Sequence, residues 1–292
     1  MSTNSKIEWT DHTFNPWWGC TKVHQGCTHC YAETLDKRYG ESHWGNNPRR
    51  MIVGEWGKPE KWNRDAMKDF GRPARVFCAS MCDLFEKYDG PVVNQQGDTL
   101  FVDGERVTHV PRATPVTLDW LRARVFQIVE KTPNLEWLFL TKRPENVPEM
   151  VPERWLKEWP RNVMTGTSPC DQETADECIP HLRKVPGRRF LSCEPLLGPI
   201  DLPFFREDEG GSRSIHWVIV GVESRGKRVG RFADGYEDAA RSIITQCDAA
   251  GVPCFNKQMP IDGQVSGDPS EWPEDLRVRD LPGSAPRMEG VR

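Results

Sequence analysis

The chain has 292 residues and lacks any apolar run approaching the ~20 residues that a membrane-spanning helix needs, so no membrane partner is expected. Its opening, Met1 to Lys6, is polar and has no apolar run of the kind that directs secretion, which points to the cytoplasm. Charge of one sign is also missing. With 39 Lys and Arg against 43 Asp and Glu the formal charge is -4. That balance excludes a globally basic nucleic-acid binder and leaves room only for a local basic patch. No internal repeat or low-complexity tract is present, so nothing marks a repeat array.

Cysteine and tryptophan are plentiful, at ten and 12 residues. In a reduced cytoplasm clustered cysteines read as metal ligands rather than bridges. Most of the tryptophans are expected in the core, with a few left to stack on a flat ligand. Three cysteines, Cys20, Cys27 and Cys30, are spaced C-x6-C-x2-C within Phe14-Asn15-Pro16-Trp17-Trp18-Gly19-Cys20 and Gly26-Cys27-Thr28-His29-Cys30-Tyr31-Ala32-Glu33. Three thiolates on one loop can hold three irons of a 4Fe-4S cluster and leave the fourth open. Gly19 and Gly26 permit turns that a Cβ would block. Residues 31–38 read as a helix ending at Gly40, which puts Cys30 at a helix N-terminus, where partial positive charge favours an anion. The plain alternatives are no metal, or a structural zinc, which wants four protein ligands; His24 or His29 could be the fourth. Cys78, Cys193 and Cys254 read as small core residues. Cys78-x3-Cys82 and Cys170-x7-Cys178 are spacings too weak to assign a metal.

Short apolar runs recur at residues 75–80, 137–141, 162–166, 189–193, 217–221 and 252–256, with helical patterns at 118–131, 174–183 and 235–250 between them. Runs of this length without alternation suit strands covered on both faces. The order predicts a parallel α/β fold, a complete or partial (β/α) barrel or an open sheet. Polar residues follow the strands: Asp83, Lys142 and Arg143, Ser168, Glu194, Glu223 and Lys257. In either architecture strand ends of this kind carry ligands. The plain alternatives are that Asp83 caps a helix, that Lys142-Arg143-Pro144 begins a solvated helix, and that Glu194 and Glu223 pair with Lys257 or Arg143. One domain is expected over residues 1–260, with insertions at about 40–72 and 86–115. The first holds a short helix near 59–70, and the second a hairpin turning at Asp103-Gly104. Both insertions are expected over a barrel mouth, as a lid or partner surface, with solvated decoration as the alternative. The tail, 261–292, rich in Pro and Gly, is expected to be irregular. Arg49, Arg50, Lys58, Lys61, Arg64 and Arg72 lie among Trp44, Trp56 and Trp62, an interleaving that can grip phosphate and stack bases; a solvated insertion anchored by tryptophan is the alternative.

The loop resembles that of the radical S-adenosylmethionine superfamily, which reads C-x3-C-x2-C. It is most similar to the spore photoproduct lyase-like branch, through Asn15, Pro16, Gly19, Cys20, Gly26, Cys27, Cys30, Tyr31 and Ala32. Three extra residues separate the first two cysteines, and His29 stands where an aromatic is usual. The whole chain is similar to a family of phage and prophage proteins with a three-cysteine motif, through Ile7-Glu8-Trp9-Thr10, Asp83-Leu84-Phe85, Leu140-Thr141-Lys142-Arg143-Pro144, Cys193-Glu194-Pro195-Leu196-Leu197-Gly198-Pro199-Ile200, Gly221-Val222-Glu223-Ser224 and Lys257-Gln258.

The resemblance implies a radical-SAM type barrel, a 4Fe-4S cluster on Cys20, Cys27 and Cys30, and bound S-adenosylmethionine. It also implies DNA or RNA as the molecule modified or repaired, and an electron donor. Asp83 or Glu86 would accept from the cofactor's ammonium in place of a missing Gly-Gly-Glu segment. Lys142 or Arg143 would pair a carboxylate or phosphate. Ser168, Glu194, Glu223 and Lys257 would complete the cofactor or substrate contacts. The competing functions are an iron-sulfur protein that does not cleave S-adenosylmethionine, acting in electron transfer, sensing or partner binding, and a zinc-stabilised interaction module.

Overall fold

The computed structural model describes residues 5–203, 215–225 and 228–283. The chain divides into two compact units, one of residues up to 23 with 30–164, the other of residues 24–29 with 165 onward. The six-residue segment from His24 to His29, which carries Cys27, thus belongs to the second unit, whereas Cys20 and Cys30 belong to the first.

In the first unit β1 (His12–Phe14) is followed by α1 (Tyr31–Arg38) and α2 (Lys58–Phe70), then β2 (Ala74–Cys78), α3 (Leu118–Lys131) and β3 (Leu135–Thr141). The strands are parallel in the order β1-β2-β3, with Phe14 opposite Cys78 and Cys78 opposite Phe139. All five residues of β2 are buried, as the unalternating apolar run requires. α2 spans 13 residues, in line with the helix expected near 59–70, and stops at Gly71 in the left-handed region, the usual helix stop. α3 starts where the Thr117 hydroxyl accepts from the Trp120 amide and buries Leu121, Val125, Phe126 and Val129. Phe14 meets Trp137 edge to face at 5.6 Å. The insertion at 40–72 supplies Arg49–Met51, which pairs with Trp17–Trp18 and with Val92–Val93. The hairpin forms from Phe101–Asp103 and Arg106–Thr108, with Gly104, at φ 62°, making the turn.

β4 (Val163–Thr167) carries the chain from the first unit to the second. There α4 (Gln172–Arg183), β5 (Arg188–Cys193), β6 (Trp217–Gly221), α5 (Ala233–Ala250) and β7 (Cys254–Ile261) follow. β5, β6 and β7 are parallel neighbours in that order. α4 opens on a reciprocal cap between Asp171 and Thr174. α5 packs Tyr236, Ala240, Ile243 and Cys247 into the core with Val218, Val220 and Cys254. Each unit is therefore mixed α/β with parallel strands and crossover helices, the class the alternation predicts.

The tail departs from expectation. Gln264–Ser266 runs antiparallel to the end of β7, and Trp272, Leu276 and Val278 are buried in the core of the second unit. Three apolar side chains hidden among Pro, Gly and charge are enough to order 261–283. Residues 284–292 lie outside the described residues. Of the 12 tryptophans eight are buried, so indoles serve mainly the core. No helix among the described residues is long and apolar enough to cross a membrane.

Candidate cysteine-loop site

Asn15 ties the end of β1 to the segment after β2: its side-chain oxygen accepts from the Met81 amide at 2.9 Å and its amide donates to Ser80 Oγ at 3.1 Å. The chain then reaches Gly19, whose φ is 113°. A Cβ there would lie 2.2 Å from the His43 carbonyl oxygen, so only glycine can precede Cys20. Cys20 and Cys30 are both half-buried against Ala32, Trp44 and Met81. Cys30 stands at the N-terminus of α1, and its side chain makes no capping bond there.

Arg143 leaves the end of β3 and turns back onto this loop. It is 7 % exposed. Its Nη1 donates to Asp83 at 2.8 Å and to Cys20 Sγ at 3.6 Å, and its Nη2 donates to the Thr21 carbonyl at 2.5 Å. Asp83, also buried, accepts as well from Thr141 Oγ1 at 2.7 Å, from the Phe85 amide at 3.0 Å and from the Lys142 amide at 3.1 Å. Its carboxylate is thus saturated, and the Phe85 bond closes a turn rather than capping a helix. Glu86 is taken up in the same way. It pairs in two-point fashion with Arg49 at 2.9 and 3.0 Å, both side chains fully buried. Burial, together with the Asp83 and Glu86 carboxylates, pushes the Cys20 thiol up to about 12 against the pull of Arg143.

In the second unit Gln25–Cys27 forms a single 3-10 turn, capped by His24, whose Nδ1 accepts from the Gly26 amide. A Cβ on Gly26 would lie 2.3 Å from Cys170 Sγ, so this position too demands glycine. Gln25 bonds the Asp171 carboxylate. Glu223 accepts from Arg231 Nη2 at 2.8 Å and the Arg231 amide at 2.7 Å, and faces His29 Nδ1 at 3.1 Å. Against the opposing effect of burial, the Arg231 bonds and then His29 hold the Glu223 carboxyl down to about 2. Arg231 Nη2 also donates to the Gln25 carbonyl at 3.2 Å. Glu194 pairs with Lys257 at 2.8 Å and bonds Ser192 Oγ at 3.0 Å. Ser168 Oγ, on a residue 2 % exposed, has no hydrogen-bond partner, and nor does Thr165 Oγ1.

The seven polar strand-end residues therefore sort into three kinds. Asp83 and Arg143 are joined to each other and to Cys20. Glu194 and Lys257 pair as the plain alternative anticipates, whereas Glu223 takes Arg231. Lys142 contributes its backbone amide, and Ser168 keeps a buried hydroxyl. The sequence reading gave Arg49 to a phosphate-gripping patch rather than to Glu86, and missed Arg231 and the buried pair of Asp36 with His43, whose Nδ1 lies 2.8 Å from the carboxylate. Arg231 and His43 stand in charged or irregular stretches, where no periodicity points to a partner. Cys82 lies beside Gly19 through a parallel bridge. Its thiol is pushed well above the ordinary range by burial and by the neighbouring Cys78 and Cys20 sulfurs.

Among the described residues no three or more Cys, His, Asp or Glu side chains are gathered so as to hold a metal ion, the loop cysteines included. The three loop cysteines are free, half-buried thiols, and the Arg143 guanidinium bonds the one at Cys20.

In the basic and aromatic segment at 44–72 Lys61 is exposed, and most of the other cations have carboxylate partners. Arg49, Arg50, Lys58, Arg64 and Arg72 each pair with a carboxylate, and Trp44 and Trp62 are buried. Trp56 instead lines an open cavity of about 600 Å³ with Leu100, Gln96, Arg106, His109 and Arg124.

Fold and site together define an α/β protein with a three-thiol loop gripped by arginines. The chain belongs to the family described as protein of unknown function (DUF5131), whose model matches residues 4–101 and 112–268. No curated protein matches it. Among solved structures, a cysteine-to-serine variant of spore photoproduct lyase is similar at 12 % identity and a TM-score of 0.44, over 88 % of this chain and 58 % of that one. A tyrosine-to-phenylalanine variant is similar at 12 % identity and 0.42, over 87 % and 57 %. The chain spans less than two thirds of that enzyme's length.

Proposed function

We propose that Cys20, Cys27 and Cys30 hold a 4Fe-4S cluster in a partial barrel of the radical-SAM type, and that the protein acts through S-adenosylmethionine on DNA or RNA, with an electron donor as partner. The observation that carries this reading is the Arg143–Cys20 contact: a buried cation is committed to a thiol of the motif. Arg143 offsets part of the burial and carboxylate effect that keeps the Cys20 thiol protonated, and ligating a metal takes the thiolate. Gly19 and Gly26, at positions that reject any Cβ, support it by fixing the backbone around the cysteines. Once bound, the cluster and cofactor would supply an electron and hydrogen abstraction.

This chain's own residues then have separate tasks. Arg143 orients Cys20. Ser168 and Thr165 offer buried hydroxyls that lack partners, and a buried hydroxyl left unmatched is costly, so a polar ligand is their natural complement. The cavity at Trp56, with an aromatic wall and arginines at its side, suits a base and its phosphate.

One observation favours a second reading, an iron-sulfur protein that does not cleave S-adenosylmethionine. Asp83 and Glu86, the acceptors suggested for the cofactor's ammonium, are both saturated by protein donors. Anaerobic purification, an iron and sulfide count, reduction and addition of S-adenosylmethionine separate the two. About four irons with 5'-deoxyadenosine formed supports the first reading; the same iron content without product supports the second. A single zinc overturns both.

A further inference from the structure

We infer that the open cavity beside Trp56 takes one unpaired nucleotide of a single strand, its base against the indole and its phosphate against Arg106 and Arg124; the inference rests on the nucleic-acid part of the reading above and on nothing at the cysteine loop. The cavity lies wholly within the first unit. Its volume, about 600 Å³, is that of a small-molecule pocket. Met51 and Leu100, both buried, give it an apolar floor, and the hairpin strand Arg106–Thr108 gives it a wall.

Trp56 is held in place. Phe14 meets its ring edge to face at 5.8 Å, and the Arg124 guanidinium lies 5.9 Å from the ring centre. Arg124 is itself fixed, since its Nη1 donates to the Glu105 carbonyl at 2.9 Å and its guanidinium packs over Trp120 at 4.8 Å. Trp56 is only half-buried, yet its Nε1 is shut off from water and has no hydrogen-bond partner. A donor left unmatched in this way is costly, so an occupant with acceptor atoms is favoured.

Charge narrows the occupant further. Arg106, Arg124 and His109 line the cavity with a single acid, Glu105. Among the described residues neither arginine is paired with a carboxylate, unlike Arg49, Arg50 and Arg72 nearby. An aromatic wall beside unspent guanidiniums suits a flat ring that carries an anion. A nucleotide supplies the ring, the acceptors and the phosphate, which a guanidinium engages in two-point fashion. In a duplex each base is already stacked on its neighbours, so only an unpaired base can enter.

The test uses the full chain and a fluorescein-labelled oligothymidylate, free or annealed to its complement, with binding read by fluorescence anisotropy over a range of salt. The native chain is expected to prefer the free strand. Trp56→Ala is expected to weaken that binding about tenfold, the worth of one stacked base, and Trp56→Phe to restore most of it. Arg106→Gln is expected to reduce the slope of log affinity against log salt by about 0.7, one phosphate contact on a single strand. Lys157→Gln removes an exposed cation paired with Glu153 and serves as the control, with the slope of the native chain.

A native chain that binds neither probe defeats the nucleic-acid reading and this inference with it. Native binding that Trp56→Ala and Arg106→Gln leave unchanged defeats the inference alone, and so does equal affinity for the duplex. Should Trp56→Ala lose its circular dichroism, Arg106→Gln, at an exposed hairpin position, carries the measurement, and a native slope there overturns the proposal.

Discussion

Two carboxylate–arginine pairs hold the cysteine loop, one in each unit, and they differ in kind. In the first, Asp83 anchors Arg143, which bonds the Thr21 carbonyl and Cys20. In the second, Glu223 anchors Arg231, which bonds the Gln25 carbonyl. Both fix loop backbone with an arginine whose charge is already met. Arg143 is buried and reaches sulfur; the Arg231 side chain is 35 % exposed and reaches only backbone. The first device touches a thiol of the motif as well as backbone, whereas the second touches loop backbone alone.

The largest expected effect breaks the first device. Asp83→Ala takes the short carboxylate partner from a buried guanidinium, leaves it only Glu86 at 3.9 Å, and is expected to cost about 3 kcal/mol, read by urea denaturation. Glu223→Ala releases an arginine that water can reach and is expected to cost about 1 kcal/mol. Equal losses would erase the distinction between the pairs. Gly19→Ala, forced into a left-handed conformation and onto the His43 carbonyl, is expected to cost about 3 kcal/mol; a cost under about 1 kcal/mol would mean that the loop shifts freely.

Acid sharpens the comparison. The folded Glu223 carboxyl is depressed to about 2 from an ordinary 4.5. Its stabilisation is therefore complete above the ordinary value and is lost as pH falls from 4.5 through about 2. Glu223→Gln should lose less stability than the native chain across that window, and identical acid curves would contradict the assignment. The smallest effect belongs to Lys257→Met, about 0.5 kcal/mol, since its pair with Glu194 is partly solvated.

The parallel strands were legible because fully buried strands must be written as unbroken apolar runs, as at Trp217–Gly221. β1 was not, since three residues, His12–Phe14, carry no period. The polar strand ends were visible as residues but not as partners: nothing local to Asp83 says that Arg143 will consume it. The partners of Arg49 and Arg72 were invisible because their carboxylates, Glu86 and Asp11, lie far away in sequence. The tail misled for the opposite reason, since Trp272, Leu276 and Val278 are diluted by turn residues.

The central claim is that Cys20, Cys27 and Cys30 ligate one iron-sulfur cluster. The most direct measurement is the Mössbauer spectrum of the anaerobically reconstituted chain beside that of Cys27→Ala. The expected result is a cubane signature in the native chain that is lost or converted in the variant. A cubane spectrum unchanged by Cys27→Ala, or no cluster signal in the native chain, would contradict the account.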